Sequence, residues 1–132
     1  MNAAAQRVER QGEDDGKAGL DDRESPPPIG SRAVIYVNSL PGEQSKRTVE
    51  RALLVANARR WLVVGVAHDQ DGAGVPLKRR WLRDAIEQVR SGQASVILVT
   101  SRSAVSPLAK EWDEIAKHVR QAGGVLWLER AG

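Results

Sequence analysis

Four cations that follow a glycine-bearing loop are the strongest candidates for a binding site in this sequence: Lys78, Arg79, Arg80 and Arg83. Their spacing places them at the start of a predicted helix, where the backbone N–H groups already carry a partial positive charge. Cations are unfavourable at that end of a helix unless an anion lies nearby. The cluster therefore favours a phosphate or another anionic partner over a surface that is only solvated.

Two other polar groups resemble ligand sites only in part. Asp69–Gly72 begins like a calcium loop, but the third acidic position and the closing glutamate are absent, so a turn explains it better. Gly72–Gly74 lacks the third glycine of a dinucleotide fingerprint. His68 and His118 lie far apart, and the chain has no cysteine. The sequence thus predicts no metal, no cofactor and no disulfide.

Short apolar runs alternate with amphipathic patterns, and these elements must position the polar residues. Strands are predicted at 33–37, 61–67, 95–100 and 125–128, and helices at about 43–60, at 78–90 and over 108–119. Apolar strands joined by helices of this length are typical of a three-layer α/β fold, a mostly parallel sheet with helices on both faces. Functional groups in such sheets gather at the carboxyl ends of the strands, here the loops 38–44, 68–78 and 101–107.

The four tryptophans are predicted to be core residues. Trp61, Trp81, Trp112 and Trp127 each fall on an apolar strand or helix face. A stacking role is not expected for any of them.

The first 31 residues differ in composition from the rest of the chain. Residues 1–31 carry seven acidic and four basic side chains and a run of three prolines, which predicts a disordered leader. Residues 32–132 hold 16 Lys and Arg against 10 Asp and Glu, a basic excess compatible with a polyanion partner. The sequence contains no signal peptide and no apolar run long enough for a membrane span, so we expect a soluble cytoplasmic protein without membrane contact.

Several segments occur in a familiar order. Tyr36–Leu40 resembles a Tyr-x-Arg-x-Ser signature, and Gln44-Ser45 fits the Gln-Ser near the start of the helix that follows it. Asp69–Gly74 and Arg79–Leu82 look like an Asp-x-x-x-Ser-Gly…Arg-Pro-x-Leu stretch. Over residues 32–130 the series is similar to the N-terminal catalytic domain of serine recombinases, the resolvase/invertase family. The resemblance implies a flavodoxin-like strand order and a role in DNA recombination.

The same resemblance shows which residues of that family's chemistry are missing. A family serine attacks a DNA phosphodiester, and arginines stabilise the charge on the phosphoryl oxygens. The nucleophile position holds Leu40, which has no nucleophilic atom. The other changed positions are Asn38 and Val105 for arginines, Ala73 for a serine and Ser101 for an aspartate. Arg79 and Arg102 stand where the family has catalytic arginines, so the resemblance implies a domain that no longer cleaves DNA.

Three functions stay open on this basis. The first is an inactive recombinase-like protein that associates weakly and non-specifically with DNA, with itself or with an intact recombinase. The second is an active divergent recombinase that uses Ser39 with Arg79 and Arg102. Consecutive residues at a strand end point to opposite faces, so Ser39 does not share the direction of Leu40 at the nucleophile position. A hydroxyl that caps the following turn is therefore favoured at Ser39 over a nucleophile. The third is an unrelated flavodoxin-like binding domain.

The family's other parts have no counterpart in the sequence given. A long dimerisation helix and a separate DNA-binding domain usually follow the catalytic domain, whereas this sequence ends at Gly132. We therefore expect weak recognition of any specific DNA site.

Overall fold

Four parallel strands form the sheet of this chain, which a computed structural model describes over residues 25–70 and 74–129. The strands are β1 (Arg32–Asn38), β2 (Leu62–Asp69), β3 (Val96–Val99) and β4 (Val125–Leu128), and they lie in the order β2-β1-β3-β4. Helix α1 (Glu43–Ala58) covers one face, and α2 (Arg80–Arg90) and α3 (Ala109–Ala122) cover the other. The predicted three-layer α/β fold with flavodoxin-like strand order is confirmed.

Strand β1 is central, and its side chains alternate between the two layers. Val34 and Tyr36 pack with α2 and α3, whereas Ile35 packs under α1 against Ala52 and Ala56. Both faces of β1 are removed from water, which is why its sequence is apolar without alternation.

Helix α2 begins later than its amphipathic pattern predicted. Pro76–Lys78 forms a separate 3-10 turn, and the helix starts only at Arg80. Arg79, between them, is extended, with φ −77° and ψ 131°. A residue with this backbone does not continue the helical surface, so its side chain takes a different direction from those of its basic neighbours.

The last residues of the predicted leader are hydrogen-bonded to the body. The indole N–H of Trp61 donates to the carbonyl of Pro27 at 3.0 Å, and the N–H of Gly30 donates to the carbonyl of Arg60 at 2.8 Å. These bonds tie the end of the predicted leader to the start of β2. Residues 1–24 lie outside the described part of the chain.

Three tryptophans pack on the core and one does not. Trp61 is 5% exposed, and Trp112 and Trp127 are half-buried against the two layers. Trp81 is 40% exposed, so its predicted core position is wrong. The buried face of α2 is made by smaller residues: Leu82, Ala85, Ile86 and Val89.

An ion pair with two tryptophans covers part of the sheet on the α1 side. Arg59 Nε lies 2.9 Å from Glu129 Oε1, which also accepts the indole N–H of Trp127 at 2.8 Å. The guanidinium lies 5.7 Å from the ring centre of Trp61 and 5.2 Å from that of Trp127. Although burial raises the pKa of the Glu129 carboxyl, the hydrogen bonds from Arg59 and Trp127 outweigh it and lower that pKa.

Replacing Glu129 by glutamine should lower the free energy of unfolding by about 1 kcal/mol at neutral pH, since the pair is partly exposed and screened. Folding depresses the pKa of Glu129, so the stabilisation is complete above its ordinary value of 4.5 and is lost as pH falls through the lower folded value. Urea unfolding of both proteins at neutral and acid pH should show the difference shrinking in acid.

The control for this prediction is Glu87→Gln, which removes an ion pair to Arg90 whose two side chains are 62% and 56% exposed. Its unfolding midpoint should match that of the unmodified chain at both pH values. A Glu129→Gln difference that stays constant into acid would contradict a contribution from the charge.

Candidate functional site

The carboxyl ends of β2, β1 and β3 lie side by side, because these three strands are parallel neighbours. The loops at 38–44, 68–78 and 101–107 therefore meet at one edge of the sheet, as the sequence predicted. Among the described residues, this edge holds the positions at which the resemblance implied chemistry.

A buried carboxylate joins the elements at this edge. Asp69, the last residue of β2, is 3% exposed. It accepts the hydroxyl of Tyr36 at 2.9 Å and the backbone N–H groups of Trp81 and Leu82 at 2.9 and 3.0 Å. The residue before α2 provides no side-chain cap, so Asp69 supplies both the acceptor and the negative charge that the helix start needs. One side chain thus connects β1, β2 and α2.

Arg79 belongs to the same buried network. It is 3% exposed; Nε and Nη2 donate to the carbonyl of Gly74 at 3.0 and 2.7 Å, and Nη1 donates to that of Ala104 at 3.1 Å. Nη1 also lies 3.5 Å from the hydroxyl of Tyr36. Burial raises the pKa of that hydroxyl well above its ordinary value and Arg79 opposes this only in part, so Tyr36 stays protonated and donates to Asp69.

The structure divides the predicted basic cluster into one buried and three exposed cations. Lys78, Arg80 and Arg83 are exposed, and none of them forms an ion pair with another described residue. Arg79 faces inward and is not part of that surface. We call the three exposed cations the basic surface.

The end of β1 presents no nucleophile at the family position. Leu40 is 74% exposed. The hydroxyl of Ser39 is buried and has no hydrogen-bond partner among the described residues. Its backbone is fixed instead: the N–H donates to the carbonyl of Asp69 at 3.0 Å, and the carbonyl accepts Nε2 of His68 at 2.8 Å.

The capping role expected of Ser39 falls to Ser45. Its hydroxyl donates to the carbonyl of Gly42 at 2.9 Å and accepts the N–H of Gly42 at 3.1 Å. Gly42 has a φ of 149°, a conformation that favours glycine. This buried serine belongs to the Gln-Ser pair that the sequence singled out, and it closes the start of α1.

The turn after β3 holds the remaining family positions. The hydroxyl of Ser101 accepts the N–H of Ser103 at 3.2 Å and closes a short 3-10 turn. Arg102 is exposed, with its guanidinium 5.4 Å from the ring centre of Trp112. Val105 is fully buried in the layer under α2 and α3, so this core has no room for the family's arginine.

Two changed positions remain. Asn38 ends β1, is half-buried and pairs in register with Asp69. Ala73 lies outside the described residues, between Asp71–Gly72 and Gly74. Within the described ranges, no three His, Asp or Glu side chains group as a metal site would require. None of the helices in those ranges combines the length and apolar character of a membrane span.

The fold defined by this sheet and its three helices is that of serine recombinase catalytic domains. The chain is similar to the C-terminal catalytic domain of ISC1926 TnpA, an IS607-like serine recombinase: the TM-score is 0.64, and the identity is 21% over 76% of this chain and 71% of that one. It is also similar to the N-terminal catalytic domain of TP901-1 integrase, with a TM-score of 0.60 and 18% identity over 74% of this chain and 75% of that one. No protein-family model matches the sequence, and no curated protein matches it. The predicted recombinase-like fold is confirmed.

Sequence reasoning missed the roles of Asp69 and Tyr36. The sequence indicates a turn at Asp69 and a strand at Tyr36 and places both in the family resemblance, but it does not predict the contact between them or the bonds to α2. One signal could have found the carboxylate: Leu77, Lys78 and Arg79 precede α2, and none of them is a capping residue. The acceptor for this helix therefore has to come from another element.

Replacing Asp69 by asparagine should lower the free energy of unfolding by about 2–3 kcal/mol, because the new amide turns N–H groups toward donors in a buried site. Tyr36→Phe, which leaves both backbone bonds intact, should cost about 1 kcal/mol. Urea unfolding followed by circular dichroism measures both changes.

Asp84→Asn is the matched control, since Asp84 lies exposed on the same helix and, among the described residues, accepts only the side-chain amide of Gln88. It should change the stability by less than about 0.5 kcal/mol. If Asp69→Asn were as mild as this control, the carboxylate would not be what holds α2 to the sheet.

Proposed function

We propose that this chain is a serine recombinase-like domain that associates with DNA and does not cleave it. The observation that carries the proposal is that the guanidinium of Arg79 is buried and hydrogen-bonded within the protein. This arginine stands at a family catalytic position, yet it is 3% exposed and donates to the carbonyls of Gly74 and Ala104. A guanidinium held by main-chain acceptors on two loops is not available to phosphoryl oxygens.

The other requirements of a covalent step also fail at this edge. A phosphoryl transfer needs an attacking oxygen and several donors around the oxygens that gain charge. Leu40 offers no such oxygen, and Val105 is packed into the core. Arg102 is exposed but is a single cation, and each missing donor of this kind costs about 3 kcal/mol of transition-state stabilisation.

One observation favours the second function, cleavage through Ser39. Its hydroxyl has no hydrogen-bond partner among the described residues. Against this function, the nearest imidazole does not activate it, because His68 Nε2 contacts the carbonyl oxygen of Ser39 at 2.8 Å. A general base must reach the proton that it removes. The inactive domain is therefore the better supported of the two.

Association with DNA is supported by the basic surface. Lys78, Arg80 and Arg83 project from the first turns of α2 and from the 3-10 turn before it, where the helix dipole adds to their positive potential. Contacts of this kind with phosphates hold DNA without reading its sequence. The expected binding is weak, non-specific and dependent on salt.

The unmodified chain should form no covalent adduct with DNA, including nicked or suicide substrates, on a denaturing gel that retains protein–DNA adducts. Leu40→Ser should form none either, because a serine without surrounding cations lacks stabilisation for the phosphoryl charge. Ser39→Ala is the control. An adduct from the unmodified chain that disappears in Ser39→Ala would overturn the proposal and establish the second function.

Binding to duplex DNA should fall steeply with salt, with a slope of log K on log salt of about −3 if the basic surface makes three phosphate contacts. Lys78→Gln combined with Arg83→Gln should reduce that slope by about 2. Arg79 is left intact, since its loss would disturb the buried network. Fluorescence anisotropy with a labelled duplex measures the slope.

The control for the salt slope is the pair Arg47→Gln and Arg51→Gln, two exposed cations of α1 on the opposite face of the sheet. This pair should leave the slope unchanged. Equal effects of the two pairs would contradict a localised DNA surface. No binding at low salt would reject DNA association and leave self-association, an intact recombinase or a flavodoxin-like binding role.

A further inference from the structure

Trp81 leaves a large aromatic side chain in water. The residue is 40% exposed, although it occupies the first turn of a helix that buries four other apolar residues. Its backbone is held in place, because its N–H donates to the buried carboxylate of Asp69. The backbone that carries the exposed indole is therefore anchored at this surface, and covering the ring with a ligand would recover hydrophobic free energy.

The indole lies among the cations of the basic surface. Lys78, Arg80, Arg83 and Trp81 line one groove of about 770 Å³, together with Leu77 and Ile86. The guanidinium of Arg80 lies 4.8 Å from the ring centre of Trp81. A guanidinium covers only one face of a ring, and the residue keeps its exposure with Arg80 in place.

The charge of the groove is uneven along its length. Glu87 is paired with Arg90, and Asp84 accepts the side-chain amide of Gln88. Asp84 directly follows Arg83, whereas Glu87 and Arg90 lie further along α2, and His118 of α3 also lines the groove. The end near Trp81 keeps three cations without an ion pair to a described residue. An anionic ligand is thus favoured at the same end as the exposed ring.

We propose that this groove binds single-stranded DNA, with an unpaired base stacked on Trp81 and the neighbouring phosphates on Lys78 and Arg83. Every base has a π face that stacks on an aromatic ring, and a cation beside the ring adds to the attraction. A base within a duplex is covered above and below by its neighbours and does not reach the indole. Acidic side chains of a peptide would satisfy the cations but have no ring to stack on the indole, whereas every nucleotide carries both a phosphate and a planar base.

This inference rests on the proposed DNA association and specifies that the bound DNA is single-stranded. Anisotropy at low salt should compare a labelled single strand with the matching duplex of equal length. Trp81→Ala should weaken binding of the single strand by about 5- to 150-fold, the loss expected for one stacked base, and should leave duplex binding nearly unchanged. Arg83→Gln should weaken both, because phosphates are common to them.

Two variants separate stacking from folding and from general apolar contact. Trp81→Phe keeps a ring and should retain most of the affinity for the strand. Leu54→Ala removes an apolar side chain that is 71% exposed on α1, and it should have no effect. The strand should also quench the intrinsic fluorescence of the unmodified chain. That quenching should be lost in Trp81→Phe, in which the strand still binds.

The outcomes distinguish this inference from the proposed function. If the duplex binds with the expected salt slope but Trp81→Ala leaves the affinity for the single strand unchanged, only the stacking site is overturned. An equal loss on strand and duplex would overturn it too, since stacking requires an unpaired base. If neither DNA binds the unmodified chain at low salt, both proposals fail.

Discussion

The carboxylate of Asp69, at the end of β2, is almost fully buried and accepts three hydrogen bonds, one from β1 and two from the start of α2. A buried charge is costly unless it is hydrogen-bonded, and this one receives a tyrosine hydroxyl and the two backbone donors at the start of α2. The position of α2 therefore follows from the end of β2. The direction of every residue on the first turn of α2, and with it the placement of the basic surface, depends on this carboxylate.

The same buried network holds Arg79 in a position that its basic neighbours do not share. A residue in extended conformation just before the helix sends its guanidinium inward, where it links the loop after β2 with the turn after β3. Its neighbours Lys78 and Arg80 stay outside. Two adjacent arginines of identical chemistry thus lie in different environments: Arg79 links two loops at the edge of the sheet, and Arg80 is exposed beside the ring of Trp81.

The sheet could be predicted from the sequence, whereas the start of α2 could not. The five consecutive apolar residues inside β1, 33–37, indicate a strand buried on both faces, and this alone favours a central parallel strand with helices on both sides. The start of α2 at Arg80 depends on an acceptor from β2, which no local pattern contains. The inward direction of the Arg79 side chain and the exposure of Trp81 both follow from the residue at which α2 starts. The pattern of the sequence instead predicted Arg79 within a surface cluster and Trp81 in the core.

The central position of β1 also has a consequence for synthesis on the ribosome. This strand is made first, yet one of its two partners is β3, in which Ile97 pairs with Val34. At about 5–20 residues per second, roughly 3–13 s pass between the synthesis of these two residues. During that interval the edge of β1 that pairs with β3 has no partner strand, although α1, β2 and α2 are made and can cover its two faces and its other edge. Until β3 is made, the backbone groups at this edge are open to another strand, such as one from a second nascent chain.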